Sequence, residues 1–187
     1  MIVLIIIGVL VVLIIGYVIS MQRQFVSLDE LCKNALGQIA VQLNSRWDAV
    51  LALAKTAAQY AKHESETLIE VIRQRRGEQV NTPEAVNEQQ SALSQVMGRL
   101  IAIGEAYPEL KAAGLYKETM DGVKQYEENV RMSRMIYNDT ATKMNRMVRQ
   151  WPSSIVASLL HFDLKDYLKA DDEQKKNYPN LDEAFKK

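Results

Sequence analysis

The chain has 187 residues, 23 basic and 23 acidic side chains, a single Cys and four Pro. Balanced charge offers no generic phosphate-binding surface and excludes nucleic acid as the main partner. One thiol, Cys32, excludes an intramolecular disulfide or a Cys-based zinc site. Beyond the first twenty positions the chain is rich in Ala, Leu, Met, Gln, Glu, Lys and Arg. These are the good helix formers, so the fold class is all-α.

Met1 to Ile19 carries no charge and no Pro. At about 1.5 Å rise per residue such a helix just spans a hydrocarbon core of roughly 30 Å. A cleaved signal would need a basic residue ahead of a shorter apolar run and a small-residue cleavage site after it. Neither is present, and no Cys follows that could take a lipoprotein acyl chain. Residues 1–20 are therefore expected to be an uncleaved transmembrane anchor, 21–162 a helical bundle domain and 163–187 a charged C-terminal tail. Arg23 and Lys33 follow the span, and basic residues prefer the cytoplasmic side. That places the body in the cytoplasm and Met1 outside.

After the span, Phe25, Leu28, Cys32, Ala35, Leu36, Ile39 and Leu43 keep three-and-four spacing, close to a heptad seam. No breaker separates this stripe from the anchor. The periodicity continues through Trp47, Val50, Leu51, Leu68, Ile69 and Ile72. One helix from the membrane to about Arg76 would be roughly 110 Å long. A capping box at Asn44-Ser45 with Asp48, starting a new helix there, is the alternative. Gly77 reads as the residue that ends the helix, and 77–82 as a polar loop. Thr82-Pro83-Glu84 reads as N-cap, N1 proline and first-turn acid of a helix to about Ala106. Tyr107-Pro108 stops it. A third soluble helix is expected from about Leu115 to Gln150, ended by Trp151-Pro152. A short amphipathic helix over 155–162 precedes the tail. The architecture is a long antiparallel helical bundle continuing from a transmembrane helix.

His63-Glu64 is the most enzyme-like pair, but a zinc-protease helix needs a second His one turn on, and Thr67 stands there. The other imidazole is His161. No nucleophile motif or phosphate loop is present. No catalytic residue, metal or cofactor is therefore assigned. His63, Glu64 and Asn138 are expected to make buried hydrogen bonds that set helix alignment. Arg131, Arg134, Lys143, Arg146 and Arg149 have one acid, Asp139, among them. They read either as a surface for phospholipid headgroups or an acidic partner, or as a solvated face paired with acids elsewhere. Tyr107, Pro108, Trp151 and Pro152 read as aromatics packed at helix ends, with Pro forcing the turn.

Several strings together resemble the LemA family of bacterial membrane proteins. Ala35, Gln38-Ile39 and Val41-Gln42-Leu43, then Arg46 and Asp48, look like its first block. Tyr60-Ala61-Lys62-His63-Glu64 and the run from Glu105 to Ala112 are similar to two further blocks. Tyr137-Asn138, Asn145 and Trp151-Pro152-Ser153 with Ala157 follow its C-terminal pattern. There are departures: Leu36 replaces a usual Trp, and Leu51 a usual Pro. The resemblance implies a helical bundle with one N-terminal anchor in the bacterial inner membrane, a cytoplasmic body and no established enzymatic activity. It also implies a membrane metalloprotease as a possible partner.

The stalk stripe begins just above the bilayer, and the remaining helices lie far along the chain. The expectation is a non-enzymatic scaffold whose parallel stalks bury that stripe in a homo-oligomer. The alternative is an adaptor for a membrane protease or another envelope enzyme, docking through the Arg131–Arg149 face.

Overall fold

A computed structural model describes residues 1–169, and among these every regular element is helical. The first helix, α1 (Ile2–Ala57), is continuous from the apolar anchor into the bundle. At about 1.5 Å per residue it is roughly 84 Å long. Its first part has a mean hydropathy of 3.4 over eighteen residues, none of them buried, and is long and apolar enough to cross a membrane. No helix starts at Asn44. Ser45 Oγ instead donates to the carbonyl of Val41 at 3.1 Å, inside the helix.

The single helix expected to run to Arg76 is broken. The chain reverses over residues 58–61, and α2 (Lys62–Arg75) folds back along α1. Ala57 and Ala61 are fully buried at the reversal, where their small side chains let the two helices approach. A straight continuation would leave Leu68 and Ile72 in water. Folding back buries both, a gain of about 1.5–3 kcal/mol per side chain. An ion pair from Arg76 Nε to Asp48 at 2.5 Å ties the far end of α2 to α1. Gly77 follows at φ 84°, the left-handed conformation that ends α2.

Helix α3 (Pro83–Ala106) starts as its sequence predicts, with Thr82 Oγ1 accepting from Ala85 N at 3.2 Å. A single-turn helix, α4 (Pro108–Ala112), makes the distal corner. Then α5 (Gly114–Arg149) returns the full way to the membrane end, antiparallel to α1. Arg46 meets Glu127, Gln42 meets Asn129, and Met144 joins Phe25 in one cluster. Helix α6 (Ser153–Leu159) closes that end.

This path corrects the stalk reading. Phe25, Cys32, Ala35, Ile39 and Leu43 are buried within one chain, and Leu28 and Leu36 are half-buried. The partner of the stripe is α5, with α6 and the segment after it, not a second stalk. Residues 163–169, expected to begin a charged tail, lie extended along α5 instead. The rest of the expected tail, 170–187, falls outside the described residues.

Candidate functional site

Helix α5 carries two asparagines seven residues apart, hence on one face. Each side-chain amide grips one residue of the extended strap 163–169. Asn145 Nδ2 donates to the carbonyl of Lys165 at 2.9 Å, and Asn145 Oδ1 accepts from Lys165 N at 2.7 Å. Asn138 repeats the pattern on Leu168, at 3.1 Å and 2.9 Å. Each amide thus satisfies both backbone groups of a residue, as a neighbouring strand would. Between them Tyr137 Oη donates to the carbonyl of Asp166 at 3.0 Å. Arg134 reaches the carbonyl of Lys169 and the amide oxygen of Gln90. Because these bonds go to backbone, the clasp reads an extended conformation and hardly any sequence.

Side chains of the strap close the arrangement. Leu168 is buried in the main core and Phe162 stacks on Phe25 with ring centroids 4.8 Å apart. Lys165 Nζ lies 2.5 Å from Asp29 on α1, which also pairs with Lys33 at 2.9 Å. The strap therefore bridges α1 and α5. The hydrogen bonds from Lys165 and Lys33 hold the Asp29 carboxyl below its usual range. Burial pushes the Tyr137 phenol up to about 12 and raises the Cys32 thiol. Neither group is poised as a base or nucleophile near neutrality.

The turn into the strap is specific. His161 adopts φ 58°, and Phe162 N donates to the Ala157 carbonyl at 3.0 Å. That is the Schellman closure of α6, with His where Gly is usual. Upstream, Ser153 Oγ sits 2.7 Å from the Met147 carbonyl and 2.8 Å from that of Gln150, covering the exposed end of α5.

Other sequence-named residues do not converge. His63 and Glu64 are exposed in the first turn of α2, so they make no buried hydrogen bond. His161 lies at the membrane end beside Phe162, roughly 50 Å from His63 by helix rise. Among the described residues no three His, Cys, Asp or Glu side chains cluster as metal ligands. Tyr107 and Trp151 are exposed rather than packed, while Pro108 and Pro152 start α4 and α6. The five-cation face divides: Arg131 pairs with Glu128 at 2.6 Å and Arg134 is buried in the clasp. Lys143, Arg146 and Arg149 remain exposed near the membrane end. Sequence reasoning missed Asn145, Tyr137 and the strap. The spacing of Asn138 and Asn145 was the available signal, but only a bound backbone gives it meaning.

Residues 35–182 match the model of the LemA family. Over 71 residues, 38% of this chain, the sequence is 30% identical to "Magnetosome protein MamQ 2" and to "Magnetosome protein MamQ 1" of Paramagnetospirillum magneticum (strain AMB-1). It is 31% identical to "Magnetosome protein MamQ" of Magnetospirillum gryphiswaldense over the same length. The match spans 26% of each of these relatives.

Proposed function

We propose, from the premise that this chain belongs to the LemA family, that it is a membrane-anchored, non-enzymatic helical scaffold assembling with copies of itself at a bacterial inner membrane. The observation carrying the reading is an apolar ridge on α5. Met132, Met135 and Ile136 are each at least half exposed, on a helix whose opposite face is core. This ridge takes the place of the stalk stripe, which α5 covers within the chain. Copies anchored in one bilayer hold their ridges at one height, which lowers the entropic cost of lateral contact. Arg23 and Lys33 favour a cytoplasmic body. The adaptor reading keeps only part of its surface, because Arg131 and Arg134 are engaged within the chain while Lys143, Arg146 and Arg149 stay exposed.

The test is light scattering on the full-length protein in mild detergent, beside the Met135→Glu, Ile136→Glu double variant. A discrete multi-copy particle that the variant reduces to monomers, with an unchanged melting temperature, supports the scaffold. A wild-type monomer at every concentration rejects it.

A further inference from the structure

The membrane-proximal end contains an arrangement that neither the clasp nor self-association uses. Val18 and Met21 of α1, together with Phe25, pack in one cluster with Val156 and Ala157 of α6. Val18 belongs to the last turn of the apolar run. Helix α6 is therefore held at the height where the span leaves the hydrocarbon, and its inner face fixes that height. Its outer face is apolar. Ile155 and Leu159, four residues apart, are 61% and 67% exposed, and Trp151, one turn earlier, is 76% exposed. An indole at such a height is the usual anchor at a membrane–water interface.

At the same end of the bundle lies a groove of about 510 Å³ between α1 and α5, lined by Arg23, Gln24, Ser27, Leu28, Lys143, Arg146 and Met147. Its three cations form no ion pair with any described residue, whereas the nearby Asp29 is taken by Lys165 and Lys33. Asp139, the acid on the same stretch of α5, is exposed one turn above Lys143 and not among the lining residues.

We propose that the groove binds the headgroup of an anionic phospholipid, and that Trp151, Ile155 and Leu159 of the α6 region dip into the adjoining leaflet. Charge and height both select a lipid. Cations follow directly on the apolar run, at the level of headgroup phosphates, and the inner face of α6 packs on Val18 and Met21, which sets its exposed apolar residues near the same level. The site makes the anchor two-point: the span fixes the chain in the bilayer, and α6 with its groove fixes the rotation and tilt of the rod above it. This rests on membrane anchoring of α1 and not on self-association; a monomer would carry it equally.

The experiment uses the full chain reconstituted into vesicles of phosphatidylcholine alone or with phosphatidylglycerol, some carrying brominated acyl chains. Flotation first reports whether the protein is in the membrane, so failure of anchoring is seen separately. Trp47 lies roughly 40 Å beyond the span by helix rise, too far for contact quenching. Quenching by bromolipid that disappears in Trp151→Phe is the expected result, and an unquenched floating protein overturns the α6 half. Native mass spectrometry of the detergent-extracted protein with added lipid tests the groove. Phosphatidylglycerol should bind in preference to phosphatidylcholine, and each of Lys143→Gln and Arg146→Gln should weaken it about fivefold. Equal binding of both lipids, or complete displacement of phosphatidylglycerol by inorganic phosphate, overturns the headgroup assignment.

Discussion

The clasp yields a sharp local prediction. Asn138→Ala removes the two hydrogen bonds that satisfy the backbone of Leu168. At a net of about 1 kcal/mol each, the loss is about 2 kcal/mol. That corresponds to roughly a thirty-fold rise in opening of this part of the strap. Asn145→Ala should do the same at Lys165. The two losses will not add. Both amides hold one strap, and once it detaches neither contributes further. The double variant should lose the burial of Leu168 and the Asp29 bridge together, with α1 and α5 still paired above and below. The assay is amide hydrogen exchange at residues 165 and 168 in the full-length protein, with the helix amides of α5 as internal controls. Asn138→Asp separates geometry from size. It keeps an acceptor for Leu168 N–H but sets a carboxylate against the Leu168 carbonyl, so it should exchange at least as fast as the Ala variant. Unchanged exchange at both residues in the double variant would falsify the view that the amides hold the strap.

The bridge from the strap to α1 has a pH signature. Asp29 is an acid with a lowered folded pKa, so its contribution is present above the unfolded value of 3.8 and lost as pH falls through the folded one. Protection of the Lys165 amide should therefore fade in acid below about that value, and Asp29→Asn should remove the dependence; a wild-type profile flat to the lowest accessible pH counts against the bridge. Tyr137 gives the opposite edge. Burial raises its pKa from 10.0 to about 12, so its neutral form stabilises the fold below the unfolded value and that contribution is lost as pH rises through the folded one. An ultraviolet titration should show a tyrosine ionising late, a component that Tyr137→Phe removes, and titration of every tyrosine at the ordinary value would contradict this. Two glycines of α3, Gly98 and Gly104, should respond with opposite sign. A Cβ on Gly104 would collide with the Tyr116 hydroxyl, which donates to the Leu100 carbonyl at 3.3 Å, whereas one on Gly98 meets open space. Thermal melts should show Gly104→Ala destabilising by about 1–3 kcal/mol and Gly98→Ala stabilising by about 0.5–1 kcal/mol.

Helix starts and stops were legible wherever they depend on local chemistry. Thr82 and Pro83 begin α3, and Gly77 ends α2 at positive φ. The apolar run of the anchor needs no context either. The reversal after Ala57 was not legible, because residues 57–61 hold neither Gly nor Pro. The stripe on α2 has the same period as the stripe on α1, so a straight helix and a hairpin fit the pattern equally. Burial of Leu68 and Ile72 decides between them. The strap was hidden for a related reason. An asparagine on a helix face announces a polar contact, but the contact here is another segment's backbone, which has no side-chain signature.

The stalk stripe shows what periodicity can and cannot say. Three-and-four spacing from Phe25 to Leu43 establishes that α1 has a partner along that face, and is silent on whose chain supplies it. Length was the better guide. The part of α1 above the anchor and the whole of α5 each extend about 55 Å at the common rise per residue. A helix of equal length, reached through α2, α3 and the distal corner at α4, returns along α1 and covers its apolar stripe. What then faces outward is the far side of α5. The apolar ridge at Met132, Met135 and Ile136 lies at mid-height there. The α1 seam is closed within the chain and the α5 ridge is open, which is why the proposed lateral assembly is placed on α5. Substitutions at Ile39 or Leu43 would unfold the subunit before they revealed anything about its assembly.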